Sequence, residues 1–142
     1  MTDIKTISES CVMQRVRATA RHVSQVYEQA LKPVDLTASQ FSSLVAIARE
    51  EGVNLVVLAE RLGMDRTTLI RVLKPLERRG LVRIGASEKD ARAKAVFLEP
   101  AGRALLNQAI PLWETAQSRA LSLIGSDDLA PLMTGLQKLK SL

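Results

Sequence analysis

The chain has 142 residues, 46% of them apolar, and a formal net charge of +5, which suits one ordinary domain, or a compact domain with appendages, built on a packed core. No apolar run approaches the ~20 residues needed to cross a bilayer, and the polar start MTDIKTISES lacks the apolar core of a secretion signal, so no membrane role is expected and the cytoplasm is the expected setting. A single cysteine, Cys11, excludes an intrachain disulfide, and with His22 as the one histidine no structural metal site, which normally takes four Cys or His ligands, is expected.

The charge excess is local. Between Asn54 and Leu98 stand ten Lys/Arg and five Asp/Glu, while the rest of the chain carries ten of each. A basic segment on an otherwise balanced protein points to a polyanionic partner. Nothing points to catalysis: there is no glycine-rich phosphate loop, no histidine-paired nucleophile and no metal-ligand cluster, so neither an enzyme nor a cofactor is expected.

From Ile7 to Leu31, apolar residues recur at Val12, Val16, Ala20, Val23, Tyr27 and Leu31, in steps of three and four that predict one long amphipathic helix. KPVDL interrupts it. Thr37 and Gln40 match a capping box that opens a second helix, with Phe41, Leu44, Val45 and Ala48 facing inward and Glu50-Glu51-Gly52 closing it. Asn54 can cap a short third helix whose Leu55, Leu58, Ala59 and Leu62 face the core, and Gly63 supplies the tight turn after it. Asp65 caps the fourth helix, GMDRTTLIRVLKPLERRG, with Leu69, Val72, Leu73 and Leu76 as its core side and Gly80 as its stop. Pro75 inside it removes the amide bond to the Arg71 carbonyl, and a slight bend there would tilt the last turn onto the core.

After Gly80 the period changes from helical to alternating. LVRIGAS and AKAVFL read as two strands joined by the charged tip EKDAR. Pro100 suits the first turn of a helix running to Ile124, with Leu105, Leu106, Leu112, Trp113, Ala116, Ala120 and Leu121 as apolar positions and a kink expected near Asn107 from Pro111. Gly125 ends it, and Ser126 is expected to cap a last helix carrying Leu129, Leu132, Met133, Leu136 and Leu139.

Two short helices joined through Gly63 and followed by a two-stranded hairpin make a winged helix-turn-helix, in a chain that is otherwise mostly α. At this point the sequence resembles the MarR family of bacterial transcriptional regulators. The residues that carry the resemblance are LAERLGMDRTTLIRVLKPLERRGLV (Leu58 to Val82), Asp90 and Arg92 of the wing, and VFLEPAGRALL (Val96 to Leu106). AIPLWETAQ (Ala109 to Gln117), the proline of LKPLERRG and the early cysteine resemble one MarR subgroup in particular. One departure stands out: the family usually has threonine where Glu99 stands, and glutamate is a poorer N-cap, so the helix start there is expected to shift by a residue or so.

The physical reading of the basic helix agrees with the resemblance. From Asp65 to Arg79 it is ~22 Å long at ~1.5 Å per residue, and a helix fits the major groove of duplex DNA with the residues near its N-terminus reaching base edges. Arg66, Thr67, Thr68 and Ile70 lie at its entry, arginine being suited to guanine and Thr67 and Ile70 to a thymine methyl. Arg71 and Lys74 lie further along and suit phosphates. The wing adds Arg83, Lys89, Arg92 and Lys94. The resemblance implies that Arg92 enters the minor groove, where narrow A·T-rich segments attract arginine; Asp90, repelled by phosphates, is expected to organise rather than touch DNA. A winged helix used for protein contacts is the alternative, distinguished by an affinity that salt hardly changes.

Helix-turn-helix proteins usually pair, with half-sites ~34 Å apart. The expected organisation is an N-terminal dimerisation helix in residues 1–36, the winged helix-turn-helix in 37–99 and C-terminal dimerisation helices in 100–142. Leu121, Ile124, Leu129, Leu132, Met133 and Leu136 are interface candidates, giving a two-fold homodimer. The resemblance also implies a small, often aromatic or phenolic, effector bound between the dimer region and the head; His22, Tyr27, Phe41 and Trp113 are candidates to line its pocket, with core packing as their alternative role. Some relatives sense peroxides through a cysteine in the first helix, where Cys11 lies. Arg15, one turn away, could support a thiolate there; His22, ~16 Å along the axis, could not.

Overall fold

The computed structural model describes residues 1–142. Its first helix, α1 (Ile4–Ser10), begins at Asp3, whose carboxylate accepts the Thr6 N–H at 2.7 Å. The single helix expected from Ile7 to Leu31 is instead two, because Cys11 turns to an extended ψ of 109° before α2 (Val12–Leu31) starts. The break leaves few backbone groups stranded. The Cys11 N–H still donates to the Ile7 carbonyl at 3.0 Å, and the Arg15 guanidinium donates to the Glu9 carbonyl at 3.0 Å. A helix end whose carbonyls find such partners is tolerable.

A 3-10 turn (Lys32–Val34) follows, and Asp35 takes the left-handed region at φ 52°. The capping box expected of Thr37 and Gln40 is present, with reciprocal bonds of 3.1 and 3.0 Å opening α3 (Ala38–Arg49). Asn54 caps α4 (Leu55–Leu62) by accepting the Val56 N–H at 2.8 Å, and Gly63 ends that helix at φ 65°. Asp65 caps α5 (Arg66–Arg78), and Gly80, at φ 72°, follows it. The prolines do not end their helices: α5 runs through Pro75, and α6 (Pro100–Ile124) runs through Pro111 without a break. Glu99 stands at the α6 N-cap and makes no capping bond, yet the helix begins at Pro100, without the shift expected of a poorer cap. The last helix, α7 (Ser126–Leu139), differs from expectation at its start. Gly125, at φ 83°, is the N-cap and Ser126 is already helical; Asp127 and Asp128 in the first turn, rather than a capping hydroxyl, complement the helix dipole.

The hairpin strands are β2 (Val82–Ala86) and β3 (Lys94–Leu98), antiparallel with Ile84 opposite Val96. A third strand that local pattern did not announce, β1 (Val53–Asn54), pairs with the far side of β3, giving the order β1-β3-β2. Its two residues are recruited by a partner more than forty positions away.

The main core runs only from Leu31 to Ala109, and includes Leu44, Ile47, Leu58, Leu69, Leu73, Leu76 and Val96 at no more than 1% exposure. The end of α2 and the first half of α6 thus share the core with the helices and strands between them. The outer segments do not: apart from half-buried Cys11, every residue from Met1 to Gln25 is exposed, and α7 buries none of its side chains. Val12, Val16 and Val23, on the apolar face expected of the first long helix, are 55%, 40% and 43% exposed.

Candidate nucleic-acid interface

The start of α5 is set by Asp65. Its carboxylate accepts the Thr68 N–H at 2.8 Å and the Thr68 hydroxyl at 3.0 Å. These bonds, with the Arg71 charge adding to them, hold the carboxyl below its ordinary value of 3.8. The Thr68 hydroxyl is therefore committed to the cap. Arg66, Thr67, Arg71 and Lys74 are exposed along the helix, whereas Ile70 is half-buried and packs against the core. Lys74 pairs with Glu77 at 3.5 Å. Arg66 and Arg71 are in no ion pair.

The wing tip is closed by its own groups. The Ser87 N–H donates to the Ala93 carbonyl and the Ala93 N–H to the Asp90 carbonyl, each at 3.0 Å. The Lys89 N–H donates to the Ser87 hydroxyl at 3.2 Å, and Asp90 accepts the Arg92 N–H at 3.0 Å. Asp90 thus shapes the backbone that presents Arg92 and leaves the guanidinium free. Lys89, Arg92 and Lys94 are exposed and unpaired. Arg83 is different from the other wing cations. Its guanidinium lies over the Phe97 ring, 4.2 Å from the centroid, and its Nε is 3.5 Å from Glu99. It is pinned to the sheet, and the glutamate that departs from the family pattern is its partner.

Two residues that sequence reasoning passed over hold the basic helix in place. Arg79 donates to the carbonyls of Asp35 at 2.7 Å and Val34 at 3.1 Å, tying the end of α5 to the turn after α2. Glu77 accepts the Ile84 N–H on β2 at 3.0 Å. Only their place on the last turn of a helix facing two other elements could have marked them.

The four effector candidates do not share one pocket. Phe41 and Trp113 stack at 6.4 Å between centroids and line an open cavity of about 860 Å³ between α3, α4 and α6. Val45, Ile110, Arg49 and Lys140 also line it, and Arg61 there pairs with Glu50. His22 and Tyr27 line a separate groove of about 610 Å³ between α2 and α6. The Tyr27 hydroxyl donates to Gln117, and burial pushes its phenol above the usual 10. Phe41 stands fourteen and nineteen positions after Tyr27 and His22, across the Lys32–Val34 turn, and lines a different cavity from theirs. Cys11 sits at the α1–α2 break, and the Arg15 guanidinium, one turn on, donates to the Glu9 backbone carbonyl.

The family model described as MarR family matches residues 34–93. The transcriptional regulator HosA of Escherichia coli is 30% identical over 105 residues, covering 74% of this chain and 78% of HosA. The organic hydroperoxide resistance transcriptional regulator of Bacillus subtilis is 28% identical over 122 residues, covering 86% of this chain and 82% of that protein. Among solved structures, the M. tuberculosis regulator MosR in complex with DNA superposes with a TM-score of 0.82 at 38% identity, over 92% of this chain and 93% of that one. CouR from Rhodococcus jostii bound to p-coumaroyl-CoA gives 0.81 at 25% identity over 92% of each chain. A head of capped helices with a wing, long flanking helices and these relatives agree: the chain belongs to the MarR family of winged helix-turn-helix transcriptional regulators.

Proposed function

We propose that the chain is a homodimeric, cytoplasmic DNA-binding repressor that holds a pseudo-palindromic operator through α5 and the β2–β3 wing, and releases it when a small aromatic or phenolic effector binds. The observation that carries the reading is the set of exposed cations without an anionic partner: Arg66 and Arg71 on α5, and Lys89, Arg92 and Lys94 on the wing. Leaving cations unpaired beside a rigid cap and a closed hairpin tip prepares them for phosphates and base edges. The complex of MosR with DNA, at 38% identity to this chain, supports DNA as the partner. Dimerisation is supported by the apolar residues that α2 and α7 leave open, Val16, Val23, Leu132, Met133 and Leu136 among them. An effector is supported by the apolar cavity at Phe41 and Trp113, with Arg49 and Lys140 at hand for an anionic group.

Arg66→Ala tests the base-reading role. Titrating labelled duplexes that differ at one position should show preference relaxed there, at about 1–3 kcal/mol per lost bidentate contact. An unchanged preference with uniformly weaker binding would move Arg66 to the phosphate contacts.

Redox control through Cys11 is a second reading. It is supported by the position of the one thiol at the helix break, half-buried rather than sealed in the core, and by the likeness to the B. subtilis hydroperoxide resistance regulator. On this reading an organic hydroperoxide oxidises the thiol to a sulfenic acid and leaves as the alcohol. Cys11→Ser should then keep its DNA affinity in the presence of hydroperoxide while the wild type loses it; equal release of DNA by both proteins would remove the reading.

A further inference from the structure

Glu77 is a half-buried carboxylate on the face of α5 turned to the wing. One oxygen lies 3.5 Å from the Lys74 ammonium; the other accepts the Ile84 N–H at 3.0 Å. That N–H has no backbone partner to turn to. In an antiparallel ladder only alternate residues of a strand bond to the neighbouring strand. The flanking bonds, from the Ser87 N–H to Ala93 and from the Glu99 N–H to Leu81, place the odd-numbered residues of β2 in the bonded set. Ile84 therefore aims its N–H at the free side, and β2 is an outer strand in the order β1-β3-β2. An edge donor normally goes to water. Here it meets a carboxylate from the helix proposed to enter the major groove, in a charge-assisted bond about twice as strong as a neutral one.

This is the one side-chain hydrogen bond between α5 and the hairpin. Val82 and Ile84 also pack on the core that Leu73 and Leu76 of α5 share, whereas the other polar ties of the β2 side chains lead elsewhere: Arg83 binds Phe97 and Glu99, hence β3 and the start of α6. Between α5 and β2 the chain turns through Gly80 at φ 72°, with the Gly80 and Leu81 N–H groups bonded back to the Glu77 and Leu76 carbonyls; these bonds fix the root of β2, and the Glu77 bond holds the strand further along, at Ile84.

Resting on the DNA-binding reading above, we propose that Glu77 is a positioning residue for operator binding: its bond to the Ile84 N–H locks the wing at one angle to α5, so that the cations of both meet the same duplex together. Charge alone predicts the opposite effect. An anion on a surface that faces phosphates repels them and occupies Lys74, so its removal should tighten binding.

The test measures affinity for a duplex selected from a random pool by the wild-type protein, at fixed salt, for Glu77→Ala and Glu77→Gln, each with and without Arg92→Ala. The exchange rate of the Ile84 amide is followed by NMR in each free protein. Glu77→Ala should weaken binding roughly tenfold, the scale of one charge-assisted hydrogen bond, and speed exchange at Ile84. Glu77→Gln, whose amide oxygen still accepts, should keep both close to wild type or tighten binding. In the Arg92→Ala background, where the wing's minor-groove contact is already lost, Glu77→Ala should cost clearly less than it does in the wild type, the signature of coupled residues. Binding by Glu77→Ala as tight as wild type overturns the inference, as does a tenfold loss that persists undiminished without Arg92, because the loss would then run through the fold of the head. A wild-type protein that selects no duplex, or an Arg92→Ala protein that binds as well as wild type, overturns the DNA-binding or wing reading and this inference with it.

Discussion

Leu136→Asp is expected to leave the single chain folded and to abolish tight operator binding. Leu136 is 43% exposed on α7, a helix that buries no side chain within the chain, so an aspartate there meets water and costs the isolated subunit little. In a dimer that closes over α7 the same carboxylate is desolvated without a partner, at a cost of several kcal/mol. The subunits separate, and each then holds DNA through one helix and one wing. Losing the second point of attachment removes an avidity gain on the order of 10²–10⁴. Sedimentation should show a species of half the mass with an unchanged helical circular dichroism spectrum, and anisotropy titrations should show the affinity loss. A Leu136→Asp protein that remains a dimer and binds normally would place the interface elsewhere.

Gly102→Ala is expected to produce the largest loss of stability for the smallest change. A Cβ added at Gly102 would lie 2.1 Å from the Leu81 carbonyl oxygen and 2.8 Å from a Leu98 methyl. The carbonyl cannot step aside freely, because it accepts the Glu99 N–H at 2.9 Å and belongs to the root of the wing. Relief requires α6 to move off the hairpin. Overpacking of this kind costs about 1–3 kcal/mol, and more where backbone must shift, so thermal unfolding should move down by several degrees. An unchanged midpoint would show that the first turn of α6 is freer than its contacts with Leu81 indicate.

Both predictions depend on where the fold sets a residue, Gly102 against the distant Leu81 and Leu136 out in the open, and that is where reading the chain ran out. Local chemistry was legible. The Thr37–Gln40 capping box, the Asn54 and Asp65 caps and the left-handed Gly63 are all determined within three or four residues, and they place α3, α4 and α5 as expected. The hairpin was legible from its alternation and charged tip. β1 was not, because two residues have no pattern of their own and become a strand only when β3 is beside them. The Cys11 break was hidden for a related reason: Val12, Val16 and Val23 keep helical spacing although no core of the same chain faces them.

The same division runs through the candidate site. Arg66, Thr67, Arg71 and Lys74 could be placed on the outer face of α5 from spacing alone. Spacing could not say that Thr68 is spent on Asp65, that Ile70 leans into the core or that Arg83 is pinned by Phe97 and Glu99. Nor could it separate Phe41 and Trp113 from His22 and Tyr27, which line different cavities. Residue type marks a side chain as able to bind; only the fold decides which of its neighbours reaches it first.

The most direct measurement is sequencing of duplexes enriched by the protein from a random pool. Two copies that set α5 into successive major grooves should enrich an inverted repeat with half-site centres about 10 base pairs, or ~34 Å, apart. Enrichment of a motif without two-fold symmetry, or none above the input pool, would contradict a paired reader of duplex DNA.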